Sequence, residues 1–89
     1  MTGQFATSKA GHDKDTLYVI VAEEGDFVYL SDGRLKMPDA PKKKRRKHIQ
    51  PIGAAVGGDL RARLEAGEQV WPEEIKLAIR QFKSKQSTK

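Results

Sequence analysis

The segment TLYVIVAE, residues 16–23, constrains this chain more than any other. Leu17, Val19 and Val21 point one way, Tyr18, Ile20 and Ala22 the other, and β-branched and aromatic residues dominate. This pattern predicts a β-strand that is apolar on both faces. After the polar break Glu23, Glu24, Gly25 the pattern returns in DFVYLSD, a spacing that suits an antiparallel hairpin with Gly25 at a left-handed position. Asp32 and Gly33 signal another turn, and RLKM after them reads as a further strand ending at Pro38. Upstream, GQFATS predicts a short first strand, followed by the polar loop KAGHDKD with Gly11 to permit a tight reversal. Downstream, Ile49 and Ile52 are placed to cover an open edge. Five short strands within about 50 residues predict a small, highly bent barrel, because a sheet this short protects its edges by curling on itself.

Beyond residue 50 the pattern changes. PIGAAVGG, residues 51–58, has three glycines and no periodicity and reads as a linker. DLRARLEAG predicts a short helix with Asp59 as N-cap, Leu60 and Leu64 four apart and Gly67 at its stop. PEEIKLAIRQF predicts a second helix. Pro72 stands at its first position, Glu73 and Glu74 lie at its positive dipole end, and Ile75, Ala78, Ile79 and Phe82 share one face. Val70 can staple onto Ile75, and Trp71 is large enough to anchor the segment on the barrel. The expected organisation is a barrel over 1–50 that includes the basic run, a linker over 51–58, helices over 59–83 and a frayed tail over 84–89. The fold class is therefore mainly β with one or two short C-terminal α-helices.

Length limits the chain to one domain, since 89 residues do not supply two cores. The absence of cysteine removes disulfides, thiolate metal sites and a thiol nucleophile, and points to the cytoplasm. No apolar run approaches a membrane span, and the opening residues lack the apolar block of a secretory signal. The net charge of +5 is local. Residues 1–41 carry four Lys and Arg against seven Asp and Glu, and residues 49–89 carry seven against five. The excess resides in six consecutive basic residues, Lys42, Lys43, Lys44, Arg45, Arg46 and Lys47, followed by His48.

Gly3, the strand after it, the loop Gly11, His12, Asp13, Lys14, and the apolar strand Leu17 to Val21 together resemble the KOW motif. VYLSDGR and the run PKKKRRKH are similar to one branch of that family, the small bacterial RNA-binding proteins related to KOW-containing large-subunit ribosomal proteins of archaea and eukaryotes. The resemblance covers Gly3 to about Ile49, with Asp15 standing where many KOW sequences have a second glycine. It implies an SH3-like barrel that binds RNA, commonly in or near the ribosome. No cofactor is implied.

The basic run supplies cations for phosphates. Held extended, its alternate side chains project on opposite faces, so about half reach one RNA backbone. Lys9, His12 and Lys14 on or beside the first loop, and Arg34 and Lys36 after the Asp32–Gly33 turn, extend the cationic surface. Gly11, Asp15 and Gly33 are the structural turn residues. Tyr18, Phe27 and Tyr29 are candidates for base stacking, with a core role the stronger expectation for at least two of them. Enzyme chemistry finds no support: the two histidines lack a matched nucleophile, the carboxylates lack a ligand spacing, and Gly53, Gly57 and Gly58 do not form a phosphate-cradling loop. The leading expectation is a non-catalytic module docking on structured RNA, ribosomal by resemblance. The alternative is a protein-interaction adaptor using the barrel or the second helix, with the basic run as solvated charge or a localisation signal. Oligomeric state is open in either reading.

Overall fold

Strand β2 (Leu17–Glu24) is buried on both faces over Leu17 to Val21, and this fixes the layers of the molecule. The computed structural model describes residues 1–9 and 16–87. Around β2 run β1 (Gln4–Ser8), β3 (Phe27–Ser31), β4 (Lys42–Arg45) and β5 (Ile49–Ala55), with a single 3-10 turn at Arg46–His48 between the last two. Two helices follow, α1 (Gly58–Glu65) and α2 (Pro72–Ser87). The strands form one antiparallel sheet in the order β4-β3-β2-β1-β5. Five strands and two C-terminal helices are the expected class. Among the described residues the ladder is open, with β4 and β5 as its edges.

The two faces of β2 pack into two apolar clusters, one on each side of the sheet. Leu17, Val19 and Val21 pack with Phe5 and with Val56, Leu64, Val70, Ile75 and Ile79 from the C-terminal half. Tyr18 and Ile20 pack with Ala6, Val28, Leu30 and Ile49. The helices cover the first face, and the sheet curls toward the second. Lys44 of β4 measures that curl: its Nζ donates to Ser8 Oγ on β1 at 2.9 Å. With two strands between them, β4 and β1 would lie about 14 Å apart in a flat sheet. The β2–β3 hairpin turns through Gly25 and Asp26, with Gly25 at φ 58°. Only the first central residue has positive φ, as in a type II′ turn.

Three expectations are corrected. RLKM is not a strand, because the carboxylate of Asp32 accepts the N–H groups of Arg34, Leu35 and Lys36 at 2.9, 3.0 and 2.9 Å and folds the segment into a tight loop. The fourth strand is the basic run itself, with Lys42, Lys43, Lys44 and Arg45 paired to Leu30, Tyr29, Val28 and Phe27. PIGAAVGG is not a linker: residues 51–55 complete β5 and pair with β1, and Val56 N–H donates to the Gly3 carbonyl. Gly53, Pro51 and the two alanines hid a strand that lacks clear alternation, and Gly57 and Gly58 belong to the start of α1.

The helices also differ at their ends. Gly57, not Asp59, is the N-cap of α1, and Asp59 in the first turn accepts from Arg63 Nε. At its C-terminus Gly67 N–H donates to Leu64 C=O and Glu68 N–H to Arg63 C=O, the Schellman pairing that satisfies the last carbonyls. Helix α2 opens with half of a capping box, in which Glu74 accepts the Trp71 N–H at 2.9 Å, and Val70 and Ile75 sit where a hydrophobic staple requires. Arg63 of α1 pairs with both oxygens of Glu74, locking the helices together. Trp71 is not the anchor, being 57% exposed. That role falls to buried Ile75 and Ile79 and to Phe82, whose ring stacks on Phe5 at 4.5 Å. The helix continues through Ser87, past the start of the expected tail, because Phe82 holds its third turn on the sheet.

Candidate nucleic-acid interface

Strand β4 sorts the first four of the six adjacent cations into two sets, since side chains alternate between faces, and the 3-10 turn carries the last two. Lys42 and Lys44 pair across the ladder with Leu30 and Val28, on the concave face, and are half-buried. Lys43 and Arg45 pair with Tyr29 and Phe27 and are exposed. Their charges lie over the Phe27 ring, Lys43 Nζ at 4.3 Å from its centroid and the Arg45 guanidinium carbon at 5.3 Å. Cation–π contacts of this kind contribute about 0.5–1 kcal/mol each when exposed. They hold both cations in place and occupy the ring that a base would need for stacking.

Arg46 is spent on structure. Its Nε donates to the Gly25 carbonyl and its Nη1 to Glu23 Oε1, both at 2.7 Å, while its backbone N–H donates to the Asp26 carbonyl. Glu23 also accepts from the Met1 α-amino group and from the N–H and hydroxyl of Thr2. These bonds hold the Glu23 carboxyl down at about 2, the α-amino group contributing most and Arg46 next. Lys47 and His48 on the 3-10 turn are exposed. The His48 carbonyl accepts the N–H of exposed Lys9 at 3.0 Å, which places the end of the run beside the end of β1.

The run therefore separates into outward cations, Lys43, Arg45 and Lys47, and inward ones, Lys44 and Arg46, that tie β4 to β1 and to the β2–β3 hairpin. Lys42 lies with the inward set. Tyr18 is buried in the concave core. Tyr29 is half-buried against the helix-side core, its hydroxyl donating to Glu24 at 3.1 Å. Gly11, His12, Lys14 and Asp15 lie outside the described residues.

Arg34 and Lys36 do not join the run. Both belong to the Asp32 loop, where Gly33 takes φ 73° and the Lys36 carbonyl accepts from Ser31 Oγ and from the N–H groups of Asp32 and Gly33. The loop lies against α2 so closely that a Cβ at Gly33 would stand 2.5 Å from the Pro72 carbonyl oxygen. Between loop and helix opens a groove lined by Arg34, Leu35, Lys76, Ile79, Arg80 and Lys83, among others. The three helix cations escaped the sequence reading, which followed the apolar positions of α2. Their spacing of four and then three residues was the available signal.

Comparison of the sequence with protein-family models gave no match, and comparison with curated proteins gave none.

Proposed function

We propose that this protein is a non-catalytic RNA-binding module that docks through the outward face of β4 and the 3-10 turn after it. The observation that carries this reading is the register of β4, which puts Lys43 and Arg45 side by side over Phe27 and leaves Lys47 exposed just beyond. Cations held at fixed spacing lose less freedom on meeting phosphates than free lysines do. Lysines on an edge strand also discourage edge-to-edge pairing, but one or two suffice for that. Contacts of this kind read backbone and shape rather than sequence. The resemblance to KOW proteins supports a ribosomal or translation-associated RNA as the partner. Helix α2 is a poor candidate for the adaptor reading, because its apolar face is already packed on the sheet.

The test is binding to ribosomal RNA and to heparin across a salt series, for wild type and for a K43Q/R45Q/K47Q variant. Three contacts on a single strand contribute about 2 to the slope of log affinity against log salt. The variant should lose that slope and its preference for RNA over heparin, while its melting curve stays close to wild type. Undiminished RNA binding by a folded variant would overturn the reading.

A further inference from the structure

We infer that the groove between the Asp32 loop and α2 is a second RNA site, with Arg34, Lys76, Arg80 and Lys83 taking phosphates and Leu35 packing against an unpaired base. This rests on the RNA-binding reading above and assigns it a second, separate contact. The groove measures about 940 Å³ and combines a cationic rim with an apolar floor, where Leu17 and Ile79 are nearly buried. A nucleotide divides its chemistry in the same way, with charge on the phosphate and a flat, weakly polar base.

Among the described residues that line the groove, four are cationic and one, Asp32, is a carboxylate. That carboxylate is engaged through Oδ1 by three backbone N–H groups. Lys76, Arg80 and Lys83 follow at i, i+4 and i+7, a row about 10 Å long at 1.5 Å per residue. Successive phosphates of one strand lie farther apart than the axial rise of about 3.4 Å per charge, so the row spans about two or three of them. An acidic peptide would need its carboxylates in matching register to do the same. Charge differs at another groove, beneath the α1–α2 turn, which is lined by Asp39 and Glu68 and, among the described residues, by no Lys or Arg.

Leu35 is 88% exposed on a loop whose backbone is held by the Asp32 carboxylate, the Ser31 hydroxyl and the Lys36 carbonyl. Loop and helix approach each other closely at Gly33 and Pro72. The groove is thus formed before a ligand arrives, which lowers the ordering cost of binding.

The experiment measures fluorescence anisotropy of a labelled unstructured RNA decamer with the full chain. It compares wild type, a groove variant (K76Q/R80Q/K83Q), L35S and the K43Q/R45Q/K47Q variant, each checked for a native melt, with poly-glutamate as competitor. The groove variant should bind about tenfold or more weakly, with a salt slope reduced by about 2. L35S should weaken the decamer several-fold and leave heparin binding unchanged. Wild-type affinity in the groove variant, with loss confined to the β4 variant, would overturn the groove and leave the β4 reading standing. Displacement of RNA by poly-glutamate at equal charge would overturn the groove as an RNA site in favour of an acidic protein. No RNA binding by wild type would overturn both.

Discussion

Arg46 Nη1 lies 2.7 Å from Glu23 Oε1, joining the basic run to the end of β2 beside the β2–β3 turn. A residue that reads from sequence as one more phosphate-binding cation is therefore a tie between strands. Replacing Arg46 by Gln should destabilise the fold by about 1–2 kcal/mol, from the lost ion pair and the lost bond to the Gly25 carbonyl. K43Q or R45Q should each cost at most about 1 kcal/mol, the worth of an exposed cation–π contact. Urea denaturation of the single variants checks the order. Neutralising all six residues together would remove structural ties along with exposed charge.

Acid stability should depend on Glu23. Its carboxyl is held at about 2 in the folded protein, first by the Met1 α-amino group and then by Arg46, against 4.5 for an ordinary glutamate. A carboxyl with a lowered folded pKa stabilises the fold above the unfolded pKa, and that stability is lost as pH falls through the folded one. Melting temperature should therefore fall between pH 4.5 and about 2. The Glu74 carboxyl, lowered by Arg63 and by the Trp71 N–H, acts in the same direction. In E23Q the fall should be shallower, as thermal melts across that range would show.

Substituting Gly33 tests the seating of the Asp32 loop on α2. G33A forces a side chain into positive φ, worth of order 1–3 kcal/mol, and sets a Cβ against the Pro72 carbonyl. Its melting temperature should drop clearly. D32A removes the acceptor of three N–H groups, so the amides of Arg34, Leu35 and Lys36 should exchange much faster with solvent while the sheet amides keep their protection.

Two aromatic residues near the helices should behave in opposite ways. F82A removes a ring stacked on Phe5 and should cost about 2–3 kcal/mol, below the range for a fully buried phenylalanine because Phe82 is half-buried. W71A should change stability by less than about 0.5 kcal/mol, as exposed sites generally do. Denaturant melts of the two variants make the comparison.

The local alternation in TLYVIVAE and DFVYLSD, and the turn residues between them, determined strands β2 and β3, and the short apolar segment GQFATS determined β1. Pro72 and the apolar spacing after it determined α2. These signals are carried by neighbours in the chain, so the sequence holds them openly. The fate of RLKM and PKKKRRK was decided elsewhere. Hydrogen bonds to Asp32 withdrew the first from the sheet, and the vacant edge of β3 drew in the second, although lysine is a poor strand former. Once β4 was a strand, pairing with β3 decided which cations face out, and the curl of the sheet decided that Lys44 meets Ser8 and Arg46 meets Glu23. Arg34 joins the α2 cations only because the Asp32 loop packs on Pro72. Such partners lie about 20 to 50 residues apart in sequence, so composition and spacing showed how much positive charge the protein carries, and only the tertiary structure decided which of it faces outward.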